Sequence, residues 1–394
     1  MRQPGSVYLA LSVMGIATPL AAQRPDSVVS VMVAQGVVHR RLLVGEGPWS
    51  VHVVEVDLRQ PGVSIRAAHA DDKLRGRESV SAMVRRKSTD AAPIVAAINA
   101  DFFNLQTGQD ENNQVIEGEI WKGLAVADAP ADTGHHGHAQ LGIAGSGRPL
   151  IDPFVFHGVV LRPHGQRLDL DAINYRPSAT SVVLYTARIG GTTPWDSAQA
   201  TIDIRLRYVA GRGDTSVYQV VSFPMAGGTA PLIDGPVLSL PIALDTGRDV
   251  PHPGEMIRIQ TNLQPAPLGL RTVVGGWPRL VVHGQSIADS VDRLEGTDRA
   301  FSVTRHPRTG VGFSRDSTTL YLITVDGRQE SSSGMSLVEF ANLMLKLGVY
   351  EGLNLDGGGS TTMVIDGKVV NSPSDKEGER AVGNALLVVV SRHD

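Results

Sequence analysis

The sequence predicts an α/β protein of the α+β type, dominated by mixed, β-rich sheets with few helices. Two observations carry this. Short runs rich in valine, isoleucine and leucine recur from Ser27 to Val390, parted by glycine and proline, as strands require. Helix signals are confined to two stretches, Ser79 to Lys87 and Ser336 to Leu347.

The first residues read as an export signal. Arg2 supplies the positive end, Val7 to Ala17 is largely apolar, and small residues close the stretch at Ala22. Cleavage there makes 1–22 a signal peptide and the product secreted or periplasmic. Residues 23–93 are expected to form a β-rich N-terminal portion. Residues 94–394 form the catalytic portion, with a β-rich insertion at about 150–272. No later stretch is apolar for long enough to span a bilayer.

Composition excludes several classes. The 394 residues are 42% hydrophobic, enough for a large core. A net charge of −4 and 5% aromatics give no basic face and no stacking platform for nucleic acid. There is no cysteine, so disulfides, thiolate metal sites and a cysteine nucleophile are absent.

The elements follow in order. Ser27 to Val44 reads as one or two strands, followed by Val51 to Leu58 and, after Pro61-Gly62, Val63 to Ala68. Ser79 to Lys87 is a short helix with Ser79 or Ser81 as its cap. Ile94 to Ile98 is too apolar to face water on either side, and so is a buried strand. His135, His136 and His138 lie in a glycine-rich stretch that reads as a surface loop. Several short strands fill Leu150 to Thr272. Arg308-flanking Val311 to Ser314 pairs with Thr319 to Val325. Ser336 and Glu339 form a capping box, and Gly348 closes that helix. Asp366-Gly367 is a hairpin turn, and Asn384 to Val390 is the last buried strand.

Chemistry is concentrated at strand ends. Asp101, Asp326 and Asp356 each follow an apolar run, and their carboxylates converge if the strands share a sheet. Arg308 and Arg380 are candidate anion contacts, because a guanidinium grips phosphate or carboxylate through two parallel hydrogen bonds. Gly357-Gly358-Gly359 is not a nucleotide phosphate loop: it lacks the lysine, and a strand follows. Two acids near an arginine suit attack at an anomeric centre beside a charged group. The same three aspartates could instead hold calcium or magnesium through oxygen ligands. A metal-dependent phosphodiesterase and a non-catalytic glycan-binding envelope protein are the alternative readings. The four tryptophans are scattered in the sequence, which disfavours a binding platform.

Taken in order, Asn99, Phe102 and Phe103, Pro307-Arg308-Thr309 with Gly312, Asp326-Gly327, Asn354 to Ser360 with Thr362, Pro373-Ser374-Asp375 and Arg380 form one pattern. From about Ile94 onward the chain resembles the phosphodiester glycosidase family. The resemblance implies an extracytoplasmic hydrolase of a sugar joined through its anomeric carbon to phosphate. It implies Asp326 and Asp356 as acid, base or nucleophile, assisted by Asp101. Arg308, Arg380 and Thr309 would then bind the substrate phosphate, and Asn99, Ser360 and Thr361 would hold sugar hydroxyls or the anion. Gly357, Gly358 and Gly359 would contribute backbone amides. No cofactor is required on this reading, although a divalent cation is compatible with it. The partner is a sugar-phosphate or glycan, with no nucleic acid.

Overall fold

The computed structural model describes residues 27–45, 47–125, 138–194, 201–222, 229–242, 250–265 and 269–391. The expected signal peptide, with His135 and His136, lies outside the described residues.

Two sheets and two helices form a layered stack. One sheet has eight strands in the order Ser27–Ala34, Val37–Val44, Trp49–Asp57, Thr319–Val325, Arg308–Phe313, Glu351–Leu355, Arg279–Val282 and Gln285–Ser286. The other has five, in the order Lys368–Val369, Met363–Ile365, Ile94–Asn99, Asn384–Val390 and Val63–His69. Alternation along each strand decides what lies between the layers. Val54, Val311, Leu322, Leu353 and Leu355 of the larger sheet meet Ile65, Ala96, Ile98, Leu386 and Val388 of the smaller in one cluster. The opposite face of the larger sheet packs on helix Leu337–Leu347 through Val53, Ile323, Val325, Phe340 and Met344. The opposite face of the smaller packs on helix Val80–Lys87 through Ala97, Leu387, Val389, Met83 and Val84. Strands such as Ile94–Asn99 and Asn384–Val390 are therefore covered on both faces, which is why they read as unbroken apolar runs.

Local chemistry sets the helix ends. Ser336 accepts from the Glu339 amide, while the Glu339 carboxylate accepts from the Ser336 amide. Gly348 leaves the helix at φ 93, in the left-handed region that glycine tolerates best. Ser79 caps the other helix by accepting from the Ala82 amide. Asp366 and Gly367, at φ 47 and 75, turn Met363–Ile365 into Lys368–Val369.

A third sheet of thirteen strands is almost wholly antiparallel and runs from Gln114–Ile116 to Leu270–Gly275 in the chain. It has its own core, including Phe154, Phe156, Ile204, Leu238 and Ile257. This sheet draws in strands on both sides of the stretch 150–272. The strands from 27–69 likewise pair directly with the C-terminal ones: Trp49–Asp57 lies against Thr319–Val325, and Val63–His69 against Asn384–Val390.

Candidate active site

The site is built at one edge of the eight-stranded sheet. Arg308–Phe313 lies between Thr319–Val325 and Glu351–Leu355, antiparallel to both. Arg308 pairs with Val325, and Thr309 pairs with both Thr324 and Leu355. Asp326 and Asp356 therefore leave the same edge on either side of Arg308. Two strand spacings put their backbones about 10 Å apart.

Asn99 joins this edge to the five-stranded sheet. Its side-chain amide donates to the Asp356 carbonyl at 2.6 Å, and its oxygen accepts from Thr309 Oγ1 at 2.8 Å and from the Thr362 amide at 3.1 Å. The Asp356 amide donates to the Ala100 carbonyl at 2.9 Å. Asn99 and Thr309 are buried, and these bonds spend their polar atoms on holding the two sheets in register.

The glycine turn then shapes the surface. Gly358 sits at φ 60 and donates its amide to the Pro307 carbonyl at 2.9 Å. Ser360 and Thr361 donate back to the carbonyls of Gly357 and Gly358, closing a 3-10 turn. A β-carbon at Gly359 would overlap Arg380 Nη2 and Asp375 Oδ1. Arg380 grips Asp375 in a fork, Nε to Oδ2 at 2.7 Å and Nη2 to Oδ1 at 3.0 Å, and reaches Ser360 Oγ at 3.4 Å. The hydroxyls of Thr361 and Thr362 are buried and find no hydrogen-bond partner among the described residues.

Asp356 is half-buried at the start of this turn. Burial pushes its carboxyl up from 3.8 to about 6, and Asp110 adds to the rise; Ser360, the Arg380 cation and the Gly357 amide work against it. A carboxyl with that affinity changes charge near neutral pH, as a general acid or base must. Asp326 is 3% exposed and accepts at Oδ1 from Asn371 Nδ2 (3.1 Å) and the Ser372 amide (2.9 Å). Burial raises its pKa too, opposed by those hydrogen bonds. Asn371 also donates to the Thr361 carbonyl at 3.0 Å, so one amide bridges Asp326 to the far side of the glycine turn.

Asp101 stands apart from this pair. Its carboxylate is buried and accepts from the Asn112 amide, Asn112 Nδ2 and Gln114 Nε2. Burial, then Asp110, holds its pKa well above the usual range. Asp110 itself lies 2.9 Å from His69 Nδ1, and both side chains are fully enclosed. Lys122 is buried alongside, donating to the carbonyls of Asp110 and Glu111. Among the described residues no group of three or more histidine or acidic side chains is gathered as a metal-ligand set.

Arg308 points to the opposite face of the sheet from Thr309. It is 1% exposed, and its guanidinium donates to the carbonyls of Met335 (2.9 Å), Phe301 (2.9 Å) and Thr304 (3.0 Å). Burial, then the Arg328 charge, lowers its pKa to about 10. It also lies 4.8 Å over the Phe301 ring, and Phe301 stacks on Trp277, which stacks on His138. Phe102 meets both Trp277 and Phe301 edge-on. Rings that are scattered in the sequence are thus collected beside the site.

Residues that the motif reading did not single out also line this edge. Arg328 and His306 approach one another at 3.3 Å, and Asn371 ties Asp326 in place. The signal for the first two was adjacency: Arg328 follows Asp326-Gly327, and His306 precedes Pro307-Arg308. Asn371 opens Asn371-Ser372-Pro373-Ser374-Asp375, a stretch whose turn-forming residues read as an ordered loop. A cavity of about 820 Å³ opens in the thirteen-stranded sheet, but none of its lining residues belongs to this edge.

Residues 241–389 match the sequence profile of the family described as phosphodiester glycosidase. Through that segment the chain is similar to the phosphodiester glycosidase family. It is 46% identical over 68 residues to N-acetylglucosamine-1-phosphodiester alpha-N-acetylglucosaminidase of Bos taurus, which is 17% of this chain and 12% of that protein. It is 42% identical over 84 residues to the SPbeta prophage-derived uncharacterized protein YomE of Bacillus subtilis, 21% of this chain and 13% of that one. The matched stretch therefore spans only about an eighth of each relative's own length. In fold, a hypothetical protein from Synechocystis superposes with a TM-score of 0.72 at 21% identity, over 94% of this chain and 64% of that one. A protein of Burkholderia pseudomallei described as exported superposes with a TM-score of 0.64 at 23% identity, over 87% of this chain and 74% of that one.

Proposed function

We propose that this protein is an exported hydrolase that cleaves the bond between a sugar's anomeric carbon and a phosphodiester or related anionic glycan. One observation carries the reading: Asp356, with a pKa near 6, heads a glycine turn beside Ser360 and Arg380, and Asp326 leaves the same sheet edge two strands away. A phosphate leaving group departs readily once its charge is stabilised, so the demanding event is attack at the sugar carbon. Ionised Asp356 is suited to that event as base or nucleophile, and Asp326 is the second carboxylate of the pair. Ser360 and Arg380 steady the charge beside Asp356, while the Gly358 amide is spent on the Pro307 carbonyl and the Thr361 hydroxyl is enclosed. Asn99 and Thr309 fix the turn from behind. Asp101 acts at a distance, through the buried charges it shares with Asp110. The N-terminal signal pattern and the exported Burkholderia structural neighbour support a secreted or periplasmic site of action.

The deciding experiment incubates purified protein with a panel of sugar-1-phosphodiesters in oxygen-18 water. Label in the released sugar is the expected result. Label in the phosphate would replace this reading with phosphoryl chemistry, and binding without sugar release would replace it with a glycan-binding role.

A further inference from the structure

Two guanidiniums flank the glycine turn, and they are not equivalent. Arg380 lies against Gly359 and is neutralised by the Asp375 fork. Arg328 lies against Gly358, where an added β-carbon would stand 3.1 Å from its Nη2. It is exposed, and among the described residues it makes no ion pair. Its other neighbours are basic as well: His306 Nδ1 is 3.3 Å away, and its charge bears on Arg308. Arg308 too is bonded only to carbonyls. Arg328 thus has His306 in contact and the buried Arg308 behind it, and among the described residues none of the three makes an ion pair.

The position of Arg328 is held firmly. Its backbone sits at φ 59, a left-handed conformation unusual for a side chain of this kind. The turn that imposes it is pinned by Ser332 Oγ donating to the Asp326 carbonyl at 2.6 Å and by mutual amide–carbonyl bonds between Gln329 and Ser332. Gln329 Nε2 also donates to the Ser372 carbonyl at 2.7 Å. A guanidinium fixed over bare backbone with no counter-ion is prepared for a ligand that supplies one.

We propose that Arg328, backed by His306, is the anion-binding arm of this site and gives the substrate its direction across the turn. The anionic aglycone lies over Gly358 on the Arg328 side, and the sugar lies towards Asp356, Asp326 and the neutralised Arg380–Asp375 pair. Arg308 is then a positioning residue. It ties the carbonyls of Phe301, Thr304 and Met335 to the strand that precedes the turn, and its charge adds to the local potential. The assignment of direction rests on the hydrolase reading; the assignment of the anion arm does not.

Calorimetric titration with inorganic phosphate tests the arm without turnover. Binding by the wild-type protein, weakened tenfold or more in Arg328→Gln and partly restored in Arg328→Lys, is the expected result. Equal binding by Arg328→Gln with its circular dichroism unchanged, or no phosphate binding by the wild type, would overturn the proposal. Direction is tested by comparing a sugar-1-phosphodiester with the p-nitrophenyl glycoside of the same sugar. Arg328→Gln should lower kcat/KM for the diester at least tenfold more than for the neutral glycoside; an equal fall in both would sink the assigned direction. Arg328-dependent phosphate binding with no sugar release would keep the anion arm and remove the catalytic reading. Sugar release that is indifferent to Arg328→Gln would do the reverse.

Discussion

Asp356 carries the chemistry proposed here, and its raised pKa has consequences for both rate and stability. If the ionised form attacks or activates water, kcat/KM on a sugar phosphodiester rises through a midpoint near pH 6. A profile that falls through pH 6 would assign Asp356 the acid role instead. Asp356→Asn should lower kcat by about a thousandfold or more while the protein stays folded. For stability, the folded-state value lies above the ordinary 3.8, so the native state holds this proton more tightly than the unfolded chain does. The contribution is fully present below about pH 4 and is lost as the pH rises through 6. Asp356→Asn should therefore melt about 1–3 °C above the wild type at pH 7.5, with the gap closing towards pH 4. A wild type that is the more stable protein at pH 7.5 would contradict the desolvation argument. Gly359→Ala is a second test at this scale. Its β-carbon would collide with the Arg380–Asp375 fork, so a loss of about 1–3 kcal/mol and of turnover is expected, measured by denaturant unfolding and by rate.

At the scale of elements, the strand Arg308–Phe313 shows how the sheet admits its helix. Gly310 alternates with Val311, and its missing side chain leaves room for Phe340 and Met344 of Leu337–Leu347. A β-carbon there would stand 2.5 Å from Met344 Cε and 2.7 Å from Phe340 Cζ. Gly310→Ala should destabilise by about 1–3 kcal/mol through overpacking. Ser336→Ala removes one half of the capping box and should cost about 1 kcal/mol, with little effect on rate, because the helix packs on the sheet face and its cap touches none of the site's aspartates. These two elements were legible because their signals are local: hydrophobic spacing, a cap three residues before a glutamate, and a glycine just past the end. The triple-glycine turn was legible for the same reason. The partners of Arg308 were not. Alternation sends its side chain to the helix face, and only the assembled sheet shows that face lined with the carbonyls of Phe301, Thr304 and Met335.

On the scale of the whole molecule, both layered sheets are completed from distant parts of the chain. The family profile covers 241–389, yet Thr319–Val325 is edged by Trp49–Asp57, and Asn384–Val390 lies between Val63–His69 and Ile94–Asn99. A fragment beginning at residue 241 lacks these neighbours, and its strands would leave backbone groups and apolar faces unpaired. Such a fragment should show no cooperative unfolding transition and no near-ultraviolet circular dichroism; a sharp transition would show that the N-terminal strands are dispensable.

The sequence by itself determined the β-rich class, the two principal helices with their caps, and the turn that follows Asp356. Each depends on interactions within a few residues, or on alternation along one strand. Tertiary structure alone decided which groups meet. Asn99 reaches Thr309 across 210 residues and the Asp356 carbonyl across 257, because two sheets stack through a shared core. The same stacking leaves Arg308 behind the sheet and Asp101 in a separate buried network, while it sets Arg328 over Gly358. Side-chain direction is fixed by pleat and layer, and burial by what lies across the layer, so neither can be read from the order of motifs.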